Sequence, residues 1–284
     1  MKIKNFQLNS ENLISQENFS AHDIKTDVKI PNLNNELLAY ETGVHIGDGS
    51  LHITKGGTHS VRFYGHGEDD WLFISEIMPR IIKQLYNKNV RAKQCSDSNK
   101  CVLNICSKAV ATFKQNIGLS VGKKTMEDLP KFIKQDRKLV INCIRGIADT
   151  DFSLYFTKNE KGQYSEPAIL CVMNNKELIQ NLGKYLESFG FDVRIKTDIK
   201  RTRNGTNLIE HRIGIYGRKN LEKWMNLIGF SNPKHLTKYH IWKKFGYCNP
   251  KTRIDERLKI LSTSSTQRVD PVDGAKEVQK LYCI

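Results

Sequence analysis

Long apolar runs and export signals are both missing from this 284-residue sequence. No stretch of about 18 apolar residues occurs, so we expect no membrane-spanning helix and no membrane partner. The opening 20 residues, "MKIKNFQLNSENLISQENFS", lack the apolar core of a signal peptide. We therefore expect an intracellular protein, either cytoplasmic or organellar.

Paired cysteines are also missing. The seven cysteines are odd in number and scattered, and no C-x-x-C pair occurs, which favours a reduced protein over a disulfide scaffold. Cys95, Cys101 and Cys106 lie close together in the sequence, which leaves a zinc site as one interpretation. Cys101 and Cys106 fall in the apolar run "KCVLNICSK", where cysteine usually fills core space, and we favour that second interpretation.

Acidic residues are few relative to basic ones. Lys and Arg number 45 and Asp and Glu number 30, which gives a formal net charge of +15 at pH 7. A basic excess of this size indicates a polyanionic partner or an acidic surface, and it carries no information about the fold. The length allows one large domain or two small ones, each with a real core.

One order of predicted elements, α-β-β-α-β-β-α, occurs twice along the chain. The segment "GDGSLHITK" parallels "TDFSLYFTK", and "QNIGLSVGKKT" parallels "MNLIGFSNPKH" in the same order. Matching segments at nearly one period indicate a duplication. We therefore predict an α+β pseudo-dimer with four regions: an N-terminal extension with weak local structure at 1–30, a first repeat at 31–130, a second repeat at 131–247 and a C-terminal tail at 248–284.

Glycines interrupt the first helix of each repeat. Gly43 and Gly47 are four residues apart in "ETGVHIGDGSLHI", and Gly146 and Thr150 keep this spacing in the second copy. Residues four apart lie on one helix face, and small residues there allow another backbone to approach closely. We therefore predict that these two helices pack against each other.

Each of these helices ends on an aspartate, Asp48 or Asp151. A carboxylate opposes the helix dipole at a C-terminus, and two adjacent carboxylates repel each other or share a proton. Divalent cations between them would explain both features, since Mg²⁺ uses one or two carboxylates plus phosphate oxygens and water. The alternative is that "GDG" is only a hairpin turn. The second copy weakens it, because "DTDFS" keeps the aspartate and loses the following glycine.

The segments "TGVHIGDGS" and "RGIADTDFS" resemble the two signature helices of the single-chain LAGLIDADG homing endonucleases. The resemblance covers roughly residues 34–247. It implies two α-β-β-α-β-β-α halves joined at the paired signature helices, with curved antiparallel sheets forming a DNA-binding saddle. It further implies a monomer that binds double-stranded DNA in the major groove and uses Mg²⁺, with Mn²⁺ or Ca²⁺ able to substitute for binding.

The resemblance also implies the roles of individual residues near the helix ends. Asp48 and Asp151 would be the catalytic metal ligands, with Gly47 and Thr150 beside them. Basic residues past the last helix of each half would lie near the scissile phosphates, and they are best matched by Lys123, with Lys124 as an alternative, and by Lys234. Asp149 matches an earlier acid of the motif that is not the main ligand. Two departures from the family pattern are Phe152, which replaces a glycine and would make the two metal environments unequal, and His45, expected to be a polar surface or interface residue.

One face of each predicted sheet should carry the DNA contacts, because side chains alternate across a strand. Some of these residues would bind phosphates and others would read base edges. The first half supplies His52, Lys55, Arg62, Tyr64, Arg91 and Lys93. The second half supplies Tyr155, Lys158, Arg194, Lys196, Lys200, Arg201, Arg203, His211 and Arg212. We place Arg201 and Arg203 in an extended loop, "KRTRNGTN".

We therefore expect a site-specific endonuclease that hydrolyses DNA with a divalent metal and leaves staggered double-strand breaks, as in intron or mobile-element homing. The alternatives of the same fold are an RNA-binding maturase and a DNA-binding protein that does not cleave. Loss of the acidic residues would mark a pure binder, and both are present, whereas a maturase can keep them. A basic structural protein would leave the duplication and the paired aspartates unexplained.

Overall fold

Two copies of one helix–strand order follow each other in the computed structural model, which describes residues 13–96, 98–203 and 205–263. A short helix, α1 (Ala21–Lys25), comes before the seven elements of the first half: α2 (Glu36–Asp48), β1 (Gly49–Ile53), β2 (His59–His66), α3 (Met78–Tyr86), β3 (Ala92–Gln94), β4 (Lys100–Cys106) and α4 (Lys108–Asn116). The second half repeats this order: α5 (Arg137–Asp151), β5 (Phe152–Lys158), β6 (Tyr164–Met173), α6 (Lys176–Ser188), β7 (Val193–Arg203), β8 (Thr206–Tyr216) and α7 (Arg218–Leu227).

Each half forms an open, four-stranded antiparallel sheet, with strand order β1-β2-β4-β3 in the first and β5-β6-β8-β7 in the second. Residues on one side of each strand are buried in a continuous apolar core with the helices, and alternate residues on the other side remain accessible. The predicted α+β class and the duplicated order are both confirmed.

The first helix of each half begins at a side-chain cap. Asn35 accepts hydrogen bonds from the backbone N–H groups of Leu37 and Leu38 at the start of α2. Asp136 accepts one from the N–H group of Lys138 at the start of α5. Such caps satisfy donors that have no partner within the helix, so the local sequence determines where both helices start.

Small residues bring α2 and α5 into backbone contact. A Cβ atom added to Gly43 would collide with the carbonyl oxygen of Cys143, and one added to Gly146 would collide with that of Tyr40. A Cβ atom at Gly47 would collide with the Thr150 side chain. The predicted packing of the two signature helices is therefore confirmed, and it carries Asp48 and Asp151 to the same end of the pair.

Pro79 does not break the helix in which it lies. A single π-helical turn, Phe73–Ile77, precedes α3, and Pro79 falls in the first turn of α3. The helical run is continuous from residue 71 to residue 86, and the π turn just before Pro79 accommodates a residue that lacks a backbone donor. The helix therefore changes type just before the proline instead of ending there.

The segment "KRTRNGTN" is the tip of a long hairpin rather than a loop. Strand β7 extends to Arg203, and Arg201 pairs with Leu208 of β8. Gly205 has φ +74° at the turn, a conformation that glycine adopts without strain. A register shift between Lys196 and Ile199 bulges β7 and changes which side chains face outward beyond it.

Both ends of the chain pack more than the sequence predicts. Within residues 13–30, the carboxylate of Asp23 accepts hydrogen bonds from the backbone N–H groups of Lys108 and Ala109 at the start of α4. The expectation of weak local structure is therefore wrong for 13–30, while residues 1–12 lie outside the described part.

Two further helices follow α7 that the sequence interpretation did not predict, α8 (Pro233–Phe245) and α9 (Ile254–Thr263). The rest of the predicted tail, 264–284, lies outside the described residues, and the four region boundaries stay predictions. None of the helices among the described residues combines the length and apolar character needed to cross a membrane.

Candidate active site

Two carboxylates meet where α2 and α5 end. Asp48 is the last residue of α2, and Asp151 is the last residue of α5. A Cβ atom added to Gly47 would lie 2.8 Å from Oδ2 of Asp151, so this carboxylate reaches across onto the neighbouring helix. Neither carboxylate accepts a hydrogen bond or forms an ion pair with any residue that the structure describes.

The surroundings of these carboxylates disfavour their ionised forms. Burial, together with the nearby charge of Asp48, raises the pKa of Asp151 to about 7, against partial compensation by Lys124 and Lys234. Burial also raises the pKa of Asp48, which Lys234 lowers in turn. A carboxylate pair with these properties gains stability when a cation approaches.

The lysine nearest the helix ends in the first half is Lys124. Its ammonium group donates hydrogen bonds to the carbonyl oxygens of Ile46, at 3.0 Å, and of Gly47. Burial lowers the pKa of Lys124, and the charges of Asp151 and Asp48 oppose this shift. Lys123 makes no hydrogen bond or ion pair with a described residue. Of the two lysines, Lys124 is the one that contacts the end of α2, and the choice between them stays a prediction.

In the second half, Lys234 lies at the start of α8, a helix capped by Asn232. Its ammonium Nζ is 2.9 Å from Oδ1 of Asp70, and both side chains are largely buried. Asp70 belongs to the first half, between β2 and α3, so this ion pair joins the two halves. The sequence placed Lys234 near the centre and contained no signal for Asp70.

Asp149 is fully buried and has a structural role. Its carboxylate accepts hydrogen bonds from the Tyr40 hydroxyl at 2.6 Å and from the backbone N–H groups of Ser231 and Asn232, each at 2.9 Å. Burial raises its pKa to about 6, and these hydrogen bonds lower it. Asp149 thus anchors the segment that leads into α8. The equivalent position in the first half is Ile46, which has no carboxylate, so a metal-binding role is not shared between the two positions.

Gly47 and Thr150, predicted beside the metal, are already engaged within the protein. The Gly47 carbonyl oxygen accepts from Lys124, and the Thr150 hydroxyl donates to the carbonyl oxygen of Ile147 at 2.9 Å. No group of three or more His, Cys, Asp or Glu side chains suited to a metal occurs among residues 13–96, 98–203 and 205–263. Two unpaired carboxylates fit a cation that takes its remaining ligands from phosphate and water, as Mg²⁺ does.

The accessible face of the first sheet carries four of the predicted DNA-binding residues. Strand register places them on the side opposite the core: His52 of β1, Arg62 and Tyr64 of β2, and Lys93 of β3. Lys55 lies in the turn between β1 and β2, and Arg91 directly precedes β3. The first half therefore presents a continuous polar and basic face.

The accessible face of the second sheet carries a similar set: Tyr155, Arg194, Lys196 and Arg212. Beyond the bulge, Arg201 pairs with Glu210 at 3.3 Å. Tyr216, which our prediction missed, lies on this face with its ring over Gly214, and the Arg194 guanidinium is 5.1 Å from its centroid. The alternation Arg212, Gly214, Tyr216 is the signal that would have identified it.

Three predicted contacts lie off this face. His211 is buried on the core side, where its ring pairs with the backbone N–H of Asp198 at 3.1 Å; the predicted DNA contact is contradicted, because alternation turns Arg212 outward instead. Lys200 and Lys158 fall on the core-side register, with Lys158 over the Tyr164 ring. Arg203 ends β7, and its side chain lies outside the described part.

Three further expectations from the sequence can be compared with the structure. His45 is buried against Phe63, with 5.8 Å between the ring centroids, so of the two places expected for it, surface or interface, the surface is wrong. Phe152 packs on Trp224 within the second half, away from solvent. Cys101 is core filler as predicted, whereas Cys106 is exposed, because the two residues lie on opposite faces of β4.

Comparisons with known proteins give similarity to solved structures only. No family model matches the sequence, and no curated protein does. The chain is similar to the homing endonuclease I-DmoI in complex with DNA and Mn, at 18% identity over 68% of this chain and 96% of that one, with a TM-score of 0.46.

It is also similar to the LAGLIDADG homing endonuclease I-GzeII in complex with a DNA target, at 11% identity over 87% of this chain and 97% of that one, with a TM-score of 0.45. The N-terminal LAGLIDADG domain of DUF199/WhiA matches at 13% identity over 68% and 81% of the two chains, with a TM-score of 0.42. At these identities and TM-scores, no residue role is carried over from those proteins. Of these three structures, I-GzeII and the DUF199/WhiA domain are described as LAGLIDADG proteins.

Proposed function

We propose that this chain is a site-specific DNA endonuclease of the LAGLIDADG homing type, which hydrolyses both strands of a long target with a divalent metal. The observation that carries the proposal is the pair Asp48 and Asp151, brought together without a described partner at the end of two helices in backbone contact. Burying two unneutralised carboxylates side by side is unfavourable for folding, which is the pattern expected of a site that a cation completes.

Asp48 and Asp151 would hold the metal, and Mg²⁺ is the ion that two carboxylates plus phosphate oxygens suit best. When bound, such an ion supplies activation of a water molecule and stabilisation of the leaving alkoxide. The Gly47 carbonyl oxygen is adjacent, and there the ammonium group of Lys124 and a cation would compete. Thr150 would contribute through its small size, which lets the helices approach.

Lys124 and Lys234 would act on the substrate side of the site. The positive charges of both lysines lower the pKa of Asp151 and of Asp48. A phosphate bound at the carboxylate pair would therefore interact electrostatically with both lysines. Fixed positive charges at a partly dry site stabilise the negative charge that develops during phosphodiester hydrolysis. We assign the charge-stabilising role in the first half to Lys124.

The DNA would be held against the accessible faces of the two sheets. These faces carry the basic residues Arg62, Lys93, Arg194, Lys196 and Arg212, within a chain of net charge +15. Such residues bind phosphates without regard to sequence and read guanine edges in the major groove. The pairing of Arg194 with Tyr216 holds one guanidinium in a defined position, as base reading requires.

The test is cleavage of a pool of randomised duplexes in Mg²⁺, with the ends of the products mapped. The wild-type chain should select one long sequence and leave staggered ends. Asp48→Asn and Asp151→Asn should each abolish cleavage while leaving affinity within about tenfold, because these groups hold metal rather than DNA. Asp27→Asn, which removes an exposed carboxylate from the segment that follows α1, is the matched control and should cleave normally.

Chelation supplies a second measurement. EDTA should stop cleavage and leave binding of the selected duplex intact. If the wild-type chain bound its selected sequence tightly and never cut it, the non-cleaving alternative would replace this proposal. If it bound structured RNA in preference to every duplex, the maturase alternative would.

A further inference from the structure

An acidic segment of the first half, residues 67–70 with the sequence "GEDD", lies against basic groups of the second half. Glu68 pairs with Arg253 at 3.4 Å, in an ion pair whose side chains are both more than half exposed. Asp70 pairs with Lys234 at 2.9 Å, where the exposed side-chain fractions are only 10% and 17%. The segment therefore makes one solvated contact and one buried contact across the interface of the halves.

Asp70 is fixed within its own half before it meets Lys234. Its Oδ2 accepts a hydrogen bond from the backbone N–H of His66 at 3.0 Å. Its own N–H donates to the His66 carbonyl oxygen, and its carbonyl oxygen accepts from Ile74. Because these hydrogen bonds restrict the Asp70 carboxylate, it cannot shift to follow the Lys234 side chain. Asp70 therefore determines where the Lys234 ammonium group lies.

The other oxygen of Asp70 holds two groups of the second half. Oδ1 accepts from the Asn232 side-chain amide at 2.7 Å and from Lys234 at 2.9 Å. The same amide also donates to the backbone carbonyl oxygen of Asp149 at 2.9 Å, two residues before Asp151. Asp70, Asn232 and Lys234 are thus joined to the end of α5 through hydrogen bonds.

The first half holds its lysine differently. Lys124 is anchored by backbone carbonyl oxygens of α2, from its own half, and it forms no ion pair with a carboxylate among the described residues. The two lysines at the centre are therefore held by different kinds of contact, and of these two Lys234 is the one that contacts a side chain of the opposite half.

We propose that Asp70 is a positioning residue, which reaches across the interface of the halves and holds the Lys234 ammonium group beside the Asp48–Asp151 carboxylate pair. This role rests on the proposed endonuclease function. Without Asp70, the Lys234 side chain would regain its rotamers, and its charge would no longer be fixed relative to the reacting phosphate. Small displacements of such groups reduce rates by up to about a hundredfold.

The test compares single-turnover cleavage of the two strands of the selected duplex. Asp70→Asn should slow cleavage by about ten- to a hundredfold, with one strand affected more than the other, and affinity should stay within about threefold. Lys234→Met should slow the same strand. Adding Asp70→Asn to Lys234→Met should cause no further loss, because the effect of Asp70 passes through Lys234.

Glu68→Gln is the matched control, since it neutralises an acid of the same segment whose partner is Arg253, in an exposed ion pair, and not Lys234. It should cleave at the wild-type rate. Asp70→Glu keeps the carboxylate on a longer stem, should cleave at an intermediate rate, and serves if Asp70→Asn does not fold. Thermal melts give a readout without DNA: the effects of Asp70→Asn and Lys234→Met on Tm should be less than additive.

The failures are distinguishable. A wild-type chain that cut no duplex would overturn the endonuclease proposal and this role with it. This role alone would be overturned if Asp70→Asn cleaved at the wild-type rate. It would also be overturned if Asp70→Asn slowed cleavage by the same factor in the wild-type chain and in the Lys234→Met variant. Additive melts would overturn it as well, because they would show that the two side chains do not interact in solution.

Discussion

Replacing Asp151 by asparagine should abolish cleavage and stabilise the fold at the same time. The carboxylate has no described hydrogen-bond partner, and burial beside Asp48 raises its pKa to about 7 from an ordinary value of 3.8. The free carboxylate of the unfolded chain ionises freely, whereas the folded chain resists ionisation. An amide of the same shape removes this conflict, and it also removes the metal ligand.

The magnitude follows from linkage between protonation and folding. The difference between 3.8 and about 7 corresponds to at most about 4 kcal/mol of stability, fully lost above pH 7. Because the folded-state pKa is raised, the wild-type chain becomes less stable as pH increases from about 4 to 7. The advantage of Asp151→Asn should therefore be largest near pH 8, shrink to about 1–2 kcal/mol at pH 5, and vanish below pH 4.

Thermal unfolding in EDTA at several pH values is the assay. At about 2–4 °C per kcal/mol for a chain of this size class, Asp151→Asn should raise Tm at pH 8 by up to roughly 16 °C. Added Mg²⁺ should raise the Tm of the wild-type chain and leave the variant unchanged, because a ligand stabilises only the state that binds it. An unchanged or lower Tm for the variant at pH 8 would refute the reasoning, since it would mean that the carboxylate is compensated.

Asp149→Asn is the matched comparison, on the same helix and with a pKa also raised by burial. Its carboxylate accepts from Tyr40, Ser231 and Asn232, and an amide cannot accept from all three. Asp149→Asn leaves a buried donor unpaired, which costs about 1–3 kcal/mol and offsets the gain from removing a carboxylate of raised pKa. At pH 8 its effect on Tm should therefore be clearly less favourable than that of Asp151→Asn, which would separate the structural acid from the functional one.

Three further predictions concern the helix interface, the basic face and the lysines. Gly43→Ala should lower Tm, because the added Cβ would collide with the facing backbone and overpacking costs on the order of 1–3 kcal/mol. Gly56→Ala is its control and should leave Tm unchanged, because a Cβ there would meet one atom within 4 Å, at 3.9 Å. Arg194→Ala should weaken DNA binding and, if it contacts a phosphate, flatten the slope of log K against log salt by about 0.9. Lys124→Met should slow cleavage about a hundredfold or more, whereas Lys123→Met should not.

Each of these has an outcome that contradicts it. Equal melts for the two glycine variants would mean that the signature helices do not pack in backbone contact. Lys184→Ala, which removes a positive charge from helix α6 instead of from the sheet, is the control for Arg194→Ala. If both variants weakened DNA binding equally, the sheet face would not be the DNA-binding surface. Slow cleavage by the Lys123 variant with a normal Lys124 variant would restore our first assignment.

The sequence by itself determined the features that depend on neighbouring residues. Alternation and helical period predicted the element order, and in the structure the side chains of Asn35 and Asp136 cap the starts of the two signature helices. The spacing of Gly43 and Gly47, with its echo in the second copy, predicted that these helices pack. Duplication then brought the two terminal aspartates together, because two similar helices packed through similar faces end at the same place.

Only the tertiary structure decided which distant groups join that pair. The proposed choice of Lys124 over Lys123 depends on the contacts that Lys124 makes with carbonyl oxygens at the end of α2. Asp70 meets Lys234 across 164 residues of sequence, and no local pattern encodes such a contact. His211 likewise faces the core because of strand register. Local propensity acts over a few residues, whereas the positions of charges at this centre follow from how the two halves pack.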